Sequence, residues 1–203
     1  MNYIKITKND IANGIGIGCV LWVSGCCIHC KNCHNQSTWD FNAGQPFTED
    51  TMQEILLTLA KPYISRCTLS GGHPLDPHNA PKVLEIVKRV KMVFPNKDIW
   101  IYSGYVWENI IKDETLREIL KYSDVLVDGA YVDELRDISL PFKGSSNQRI
   151  IDVQKSLSEN KIILWVEQGH SKKKIYTSVI LNIMVLNKKQ PLQWKNVQNL
   201  FKQ

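Results

Sequence analysis

A chain of 203 residues is long enough for one domain with a full core, and 43% hydrophobic with 22% charged residues argues against wholesale disorder. The net charge of +5 is uneven: residues 1–165 carry 18 Lys and Arg against 19 Asp and Glu, whereas residues 166–203 carry seven Lys and one acid, Glu167. Basicity as an argument for nucleic acid therefore rests on the tail alone, and no apolar run approaches the ~20 residues that span a bilayer. A soluble, cytoplasmic protein with no direct nucleic-acid or membrane partner is expected.

After a polar opening, residues 19–23 (CVLWV) read as a strand that ends at Ser24 and Gly25. Thr48 to Thr51 looks like a capped helix start, and the helix should stop near Pro62. Residues 67–70 form a second strand ending in Gly71 and Gly72, and 79–93 have helical spacing through Val83, Leu84, Ile86, Val87 and Val90. Residues 98–102 (DIWIY) make a third strand before Ser103 and Gly104, and 106–121 return to a helical pattern. Further strands are expected at 124–128, 149–153 and 161–165.

Strands alternating with helices imply βαβ units and a parallel sheet whose carboxyl ends gather the functional groups. Those ends carry a cysteine loop, Gly71-Gly72, Ser103-Gly104 and Asp128-Gly129. The composition shifts near residue 166, so residues 1–165 are expected to be the catalytic domain and 166–203 a basic C-terminal extension. Within the extension, 169–172 look like a linker and 176–186 like one more strand or helix.

Four of the six cysteines (Cys26, Cys27, Cys30 and Cys33) fall within eight residues, an arrangement suited to metal or redox chemistry and poor for stapling distant segments. Cys27, Cys30 and Cys33 begin a ferredoxin-like run, but Ser37 stands where the fourth cysteine is needed, and no Cys-Pro follows. Cys26, Cys30 and Cys33 give C-x3-C-x2-C. Three thiolates on a four-iron cluster leave one iron open to a substrate, the logic of an open metal site. A Cys3His zinc site completed by His29 or His34 is the competing reading. At Ser70-Gly71-Gly72-His73-Pro74-Leu75, glycines let backbone groups approach a ligand without an intervening Cβ.

Together the two motifs resemble the radical S-adenosylmethionine enzymes. DIANG at 10–14, VSGC at 23–26, CHNQSTW at 33–39, SGGHPL at 70–75, SGY at 103–105, DVLVDG at 124–129 and FKGSSNQRIIDV at 142–153 resemble one branch of them. That branch is the glycyl radical activating enzymes that serve anaerobic ribonucleotide reductases. The resemblance covers roughly residues 3–165 and implies an open partial (β/α) barrel of about six parallel strands.

It further implies that Cys26, Cys30 and Cys33 hold a [4Fe–4S] cluster at which S-adenosylmethionine is reductively cleaved. The adenosyl radical then takes a hydrogen from one backbone glycine of the reductase large subunit, with reduced flavodoxin or ferredoxin as the electron donor. Cofactor contacts carry over to Asn32, Cys33, His34, Gly71, Gly72 and His73. Asp128 is a further candidate, with capping of the next helix as its alternative. An activator of another glycyl radical enzyme, or a non-catalytic metal-binding module, is the alternative function.

The chain departs from the family pattern at four places. His73 stands where an acid is usual, and its protonation is expected to weaken cofactor binding between about pH 5.5 and 7.5. His34 replaces a frequent tyrosine, Gly18 a common arginine, and Cys27 is an extra thiol. Cys19 and Cys67 read as buried structural thiols and the tryptophans as packing residues.

Overall fold

The computed structural model describes residues 1–165; the linker and apolar run expected at 169–172 and 176–186 lie outside the described residues. The chain forms β1 (Asn2–Asp10), β2 (Ile17–Val23), β3 (Gln45–Pro46), α1 (Glu49–Leu59), β4 (Ile64–Gly71), α2 (Ala80–Val93) and β5 (Asp98–Tyr102). It continues through α3 (Trp107–Ile110), α4 (Glu114–Lys121), β6 (Val125–Asp128), β7 (Arg149–Asp152) and α5 (Val153–Glu159). Among the described residues no helix is long and apolar enough to cross a membrane.

The strands make one open, mixed sheet in the order β3-β1-β2-β4-β5-β6-β7. Its centre, β2-β4-β5-β6, is parallel, while β1, β3 and β7 join antiparallel. This corrects the expectation of about six parallel strands. The strand expected at 149–153 is present but runs antiparallel to β6. The one expected at 161–165 is only a single bridge between Leu164 and Ile151. The polar opening is in fact β1, whose Tyr3 is buried while Ile6 faces Leu21 across the hairpin.

Local chemistry sets the helix ends. Thr48 caps α1 through a capping box with Thr51, as the sequence suggests. The helix expected over 106–121 is broken in two, because Asp113 turns its carboxylate onto the Leu116 N–H at 2.9 Å and starts α4 afresh. Asp152 does the same for α5, a helix not foreseen, whose end is Asn160 in the left-handed conformation.

One face of the sheet is the main core. Leu21, Val23, Leu69, Ile99, Ile101 and Leu126 pack against Ile55, Val83, Val87, Ile119 and Leu120 of the helices. Cys19 and Cys67 are buried there, and burial pushes both thiols up, Cys19 to about 12, as inert structural cysteines require. On the opposite face Trp100, Val125 and Val127 pack with Ile15, Tyr102, Phe142, Ile150 and Trp165. The parallel register brings the carboxyl ends of β2, β4, β5 and β6 side by side.

Candidate functional site

The cysteine loop leaves β2 at Ser24 and Gly25, where a φ of +95° and the nearby Phe41 ring leave no place for a side chain. The segment returning from the loop holds its start: Gly25 N–H donates to Thr38 O at 2.7 Å and Cys26 N–H to Trp39 O at 3.0 Å. Two residues inside the loop, His29 and Asn32, have φ near +50°, so the backbone reverses sharply between the cysteines. Cys33 N–H closes onto Cys30 O at 3.1 Å. Beside the loop lies an open hollow of about 370 Å³ bordered by Cys26, Cys27, His29, Trp39, Asp40 and Phe41.

The sulfurs differ in what they meet. Cys33 accepts the Asn35 N–H at 3.3 Å, and the backbone N–H groups of Ile28 and His29 at Cys26 and of Tyr131 at Cys30 favour the thiolate form. Burial, and then the neighbouring thiols, push Cys26 up; burial does the same for Cys30. Cys27 is exposed, and partial desolvation followed by the neighbouring Asp76 carboxylate raises its pKa. Among the described residues no three His, Cys, Asp or Glu side chains stand gathered around one ion position. The donor chemistry nevertheless fits an iron–sulfur cluster. Cys26, Cys30 and Cys33 each receive N–H donors that would stabilise a thiolate, whereas Cys27 faces a carboxylate that opposes one.

The glycine strand end is built against this loop. Gly71 has φ +103°, and a Cβ on Gly72 would stand 2.5 Å from Gly25 O and 2.9 Å from Thr38 O. Gly72 N–H donates to Val23 O at 2.8 Å, and His73 N–H to Gly25 O at 2.7 Å. Asn79, which sequence reasoning passed over, is buried beneath and donates to Ser24 O at 2.9 Å and His73 O at 3.1 Å. The end of β5 joins the same cluster of loops, since a Cβ on Gly104 would collide with Ile28.

His73 is 1% exposed. Its Nε2 lies 3.0 Å from Ser103 Oγ, its ring meets the Tyr105 ring edge-on, and its Nδ1 is buried without a partner. Burial lowers its pKa to about 4, with Asp76 acting weakly in the opposite direction. The ring therefore stays neutral over the range in which the sequence suggested a switch, and cofactor affinity is expected to be flat from pH 7.5 to 5.5 in a binding titration. Stability behaves differently. The unfolded chain takes up a proton on this ring near pH 6.5 and the folded chain does not until about pH 4. The stabilisation is thus complete above about pH 6.5 and lost as pH falls, by about 2 kcal/mol at pH 5. Urea unfolding of the wild type and of His73→Asn at pH 7.5 and 5 checks this, because the variant should lose that component.

Asp128 makes the helix-start contact given as its alternative. It is fully buried, its Oδ2 accepts the Trp107 N–H at 2.7 Å at the start of α3, and Arg149 grips both oxygens at 2.9 and 2.5 Å. Arg149 also pairs with Glu108, whose pKa it holds down at about 2. Through these contacts the carboxylate braces the end of β6 against α3 and Arg149.

Asn147 and Gln148 fold the loop that follows β6. Asn147 Nδ2 donates to Ala130 O at 2.8 Å and Gln148 Nε2 to Gly129 O at 3.0 Å, while Gln148 Oε1 accepts the Gly144 N–H at 2.9 Å. That loop reaches back to the cysteines: Asn32 donates to Asp133 at 2.7 Å, Lys31 to Glu134 at 2.7 Å, and Tyr131 packs edge-on to His34. Asn32 and His34 are exposed at the surface of the site.

Residues 12–151 match the family model of a 4Fe-4S single cluster domain. Over 152 residues the chain is 44% identical to the anaerobic ribonucleoside-triphosphate reductase-activating protein of Pasteurella multocida, a match covering 74% of this chain and 96% of that one. The proteins of the same name from Escherichia coli K12 and Enterobacteria phage T4 are 43% and 44% identical over 150 residues. Those matches cover 96% and 93% of the relatives.

Proposed function

The chain belongs to the anaerobic ribonucleoside-triphosphate reductase-activating proteins, and from that membership we propose which of its residues do the work. The activity is generation of a glycyl radical on the reductase large subunit, with S-adenosylmethionine converted to 5′-deoxyadenosine and methionine. The [4Fe–4S] cluster, when bound, supplies the electron that breaks the sulfonium bond to the adenosyl carbon. A reduced flavodoxin or ferredoxin is our reading of the donor. We read the open sheet as the partial barrel of the radical S-adenosylmethionine superfamily, with its parallel centre carrying the site.

Cys26, Cys30 and Cys33 hold the cluster, and the N–H groups on their sulfurs offset the negative charge that accumulates there. Gly71 and Gly72 present backbone to S-adenosylmethionine; a side chain on Gly71 would collide with β2 at Val23, and one on Gly72 with the cysteine loop at Gly25. Asn32 and His34 border the cofactor from the third cysteine, and His73 forms a neutral wall beneath it. Asp128 acts through Arg149 and α3 as a positioning residue.

One observation carries this reading: the C-x3-C-x2-C loop and the Gly-Gly strand end, distant in sequence, interlock through Gly25 O. Anaerobic reconstitution with iron and sulfide, then reduction with S-adenosylmethionine present, should yield 5′-deoxyadenosine; its absence would refute the enzyme reading. Adding the large subunit should give a glycyl radical signal in electron paramagnetic resonance.

We read residues 1–165 as the catalytic domain and 166–203 as an extension the reaction does not need. The match takes in 96% of the Pasteurella chain but 74% of this one. A chain lacking 168–203 should therefore form the glycyl radical at a rate within about twofold of the full chain. A loss beyond tenfold, each tenfold being about 1.4 kcal/mol of transition-state stabilisation, would instead assign the extension to docking.

A further inference from the structure

We propose that residues 133–140 form the docking lip for the glycine-bearing segment of the reductase large subunit, with Leu135 and Ile138 as its apolar contacts. The inference rests on the activating function above and adds where the partner sits. Hydrogen transfer requires the target α-carbon to touch the cofactor, so in the working complex the partner's backbone must cross the rim of the cysteine loop. The rim consists of the segments that follow β2, β4, β5 and β6.

Among the described residues, the exposed large apolar side chains on those segments are Val106, Leu135 and Ile138. Ile138, 89% exposed, is the most exposed of any, and Leu135 is 44% exposed. A single exposed apolar residue means little. Two on one braced turn, beside the loop that the partner has to cover, give the apolar centre that a docking hot spot needs.

The turn is held on both sides. Its base is tied to the residues flanking Cys30 and Cys33, through Lys31 to Glu134 and Asn32 to Asp133. Tyr131 adds its hydroxyl to Asp133 at 2.8 Å. Its far side pairs Arg136 with Ser145, and Ser146 N–H donates to Leu135 O at 2.9 Å. A partner seated on Leu135 and Ile138 is thereby held at a fixed offset from the cluster thiols, the condition for presenting one particular glycine.

The test uses the full reconstituted chain and compares Leu135→Asn, Ile138→Asn and the double variant with Ile11→Asn. Ile11 is 75% exposed and lies beyond β1, away from the cysteine loop. Two quantities are read: 5′-deoxyadenosine formed without reductase, and the reductase concentration that half-saturates glycyl radical formation. The lip variants should raise that concentration by about tenfold or more each, as loss of a buried aliphatic contact implies. Their reductase-free cleavage should stay within about twofold of wild type. Ile11→Asn should change neither, and Ile138→Leu should restore the wild-type value.

Unchanged saturation in the double variant overturns the lip, as does an equal weakening by Ile11→Asn. A wild-type chain that cleaves S-adenosylmethionine but leaves no radical on the reductase overturns the activating function itself, and the lip's occupant with it.

Discussion

Cys26→Ser, Cys30→Ser and Cys33→Ser should each lower 5′-deoxyadenosine formation by about a thousandfold or more, because a cluster short of one thiolate is not retained. Cys27→Ser should keep both iron content and activity within about twofold. The sequence contains two competing spacings, and the choice between them is made by what surrounds each sulfur. The N–H groups of Ile28 and His29 favour a thiolate at Cys26, whereas the Asp76 carboxylate disfavours one at Cys27. A carboxylate beside a thiol holds it in its protonated form, and metal binding would bring two negative charges together.

Iron and acid-labile sulfide per chain after anaerobic reconstitution provide the readout, with 5′-deoxyadenosine measured in parallel. The reverse pattern, Cys27→Ser losing iron and Cys26→Ser retaining it, would move the ligand set to C-x2-C-x2-C. Retention in both single variants with loss in the double would mean that either thiol can serve.

Chemistry carried by contiguous residues could be read directly from the sequence, as with the cysteine loop, the Gly71-Gly72 strand end and the Thr48 cap. Apolar strands bounded by turn residues were equally legible: β5 occupies the expected residues, Asp98–Tyr102. What escaped depends on partners far along the chain. The 19 residues between Gly129 and Arg149 look long enough for a crossover helix. Asn147 and Gln148 instead fold them onto the β6 end, so β7 returns antiparallel. β1 was missed because its outward positions are lysines and threonine, so its alternation reads as polarity. Sequence alone leaves Asp128 between two roles because its partners, Arg149 and the Trp107 N–H, are each 21 positions away.

The clearest long-range case is Gly18, where the sequence suggested a missing arginine. The register sets Gly18 opposite Arg66 on the neighbouring strand, and a Cβ on Gly18 would stand 2.5 Å from the Arg66 side chain. The space left by a missing side chain on β2 is filled by an arginine from β4.

Arg66→Met should destabilise the protein by about 3–5 kcal/mol, a large part of the 5–15 kcal/mol that holds a typical domain together. Arg66 is fully buried, and its N–H groups are directed into the connection between β1 and β2. Nε donates to Asn13 O at 3.1 Å, Nη1 to Gly16 O at 2.6 Å and Ile15 O at 3.3 Å, and Nη2 to Asp10 O at 3.1 Å and its carboxylate at 2.5 Å. Gly14 and Gly18 make room for the side chain. Burial lowers the arginine's pKa and Asp10 opposes that shift, so the charge is retained through its partners.

Methionine fills much of the volume but leaves four carbonyls and a carboxylate without the arginine donor, and that loss sets the size of the effect. Lysine keeps the charge yet offers three donors from one point, too few for the fan of acceptors, so Arg66→Lys should recover less than half of the loss. Urea midpoints measured at constant slope provide the test. An Arg66→Met protein within about 1 kcal/mol of wild type would mean that desolvating the guanidinium offsets all its bonds. The connection lies at the start of β2 and the cysteine loop at its end, so the folded fraction of the variant should still cleave S-adenosylmethionine at the wild-type rate. That separation keeps loss of stability distinct from loss of chemistry.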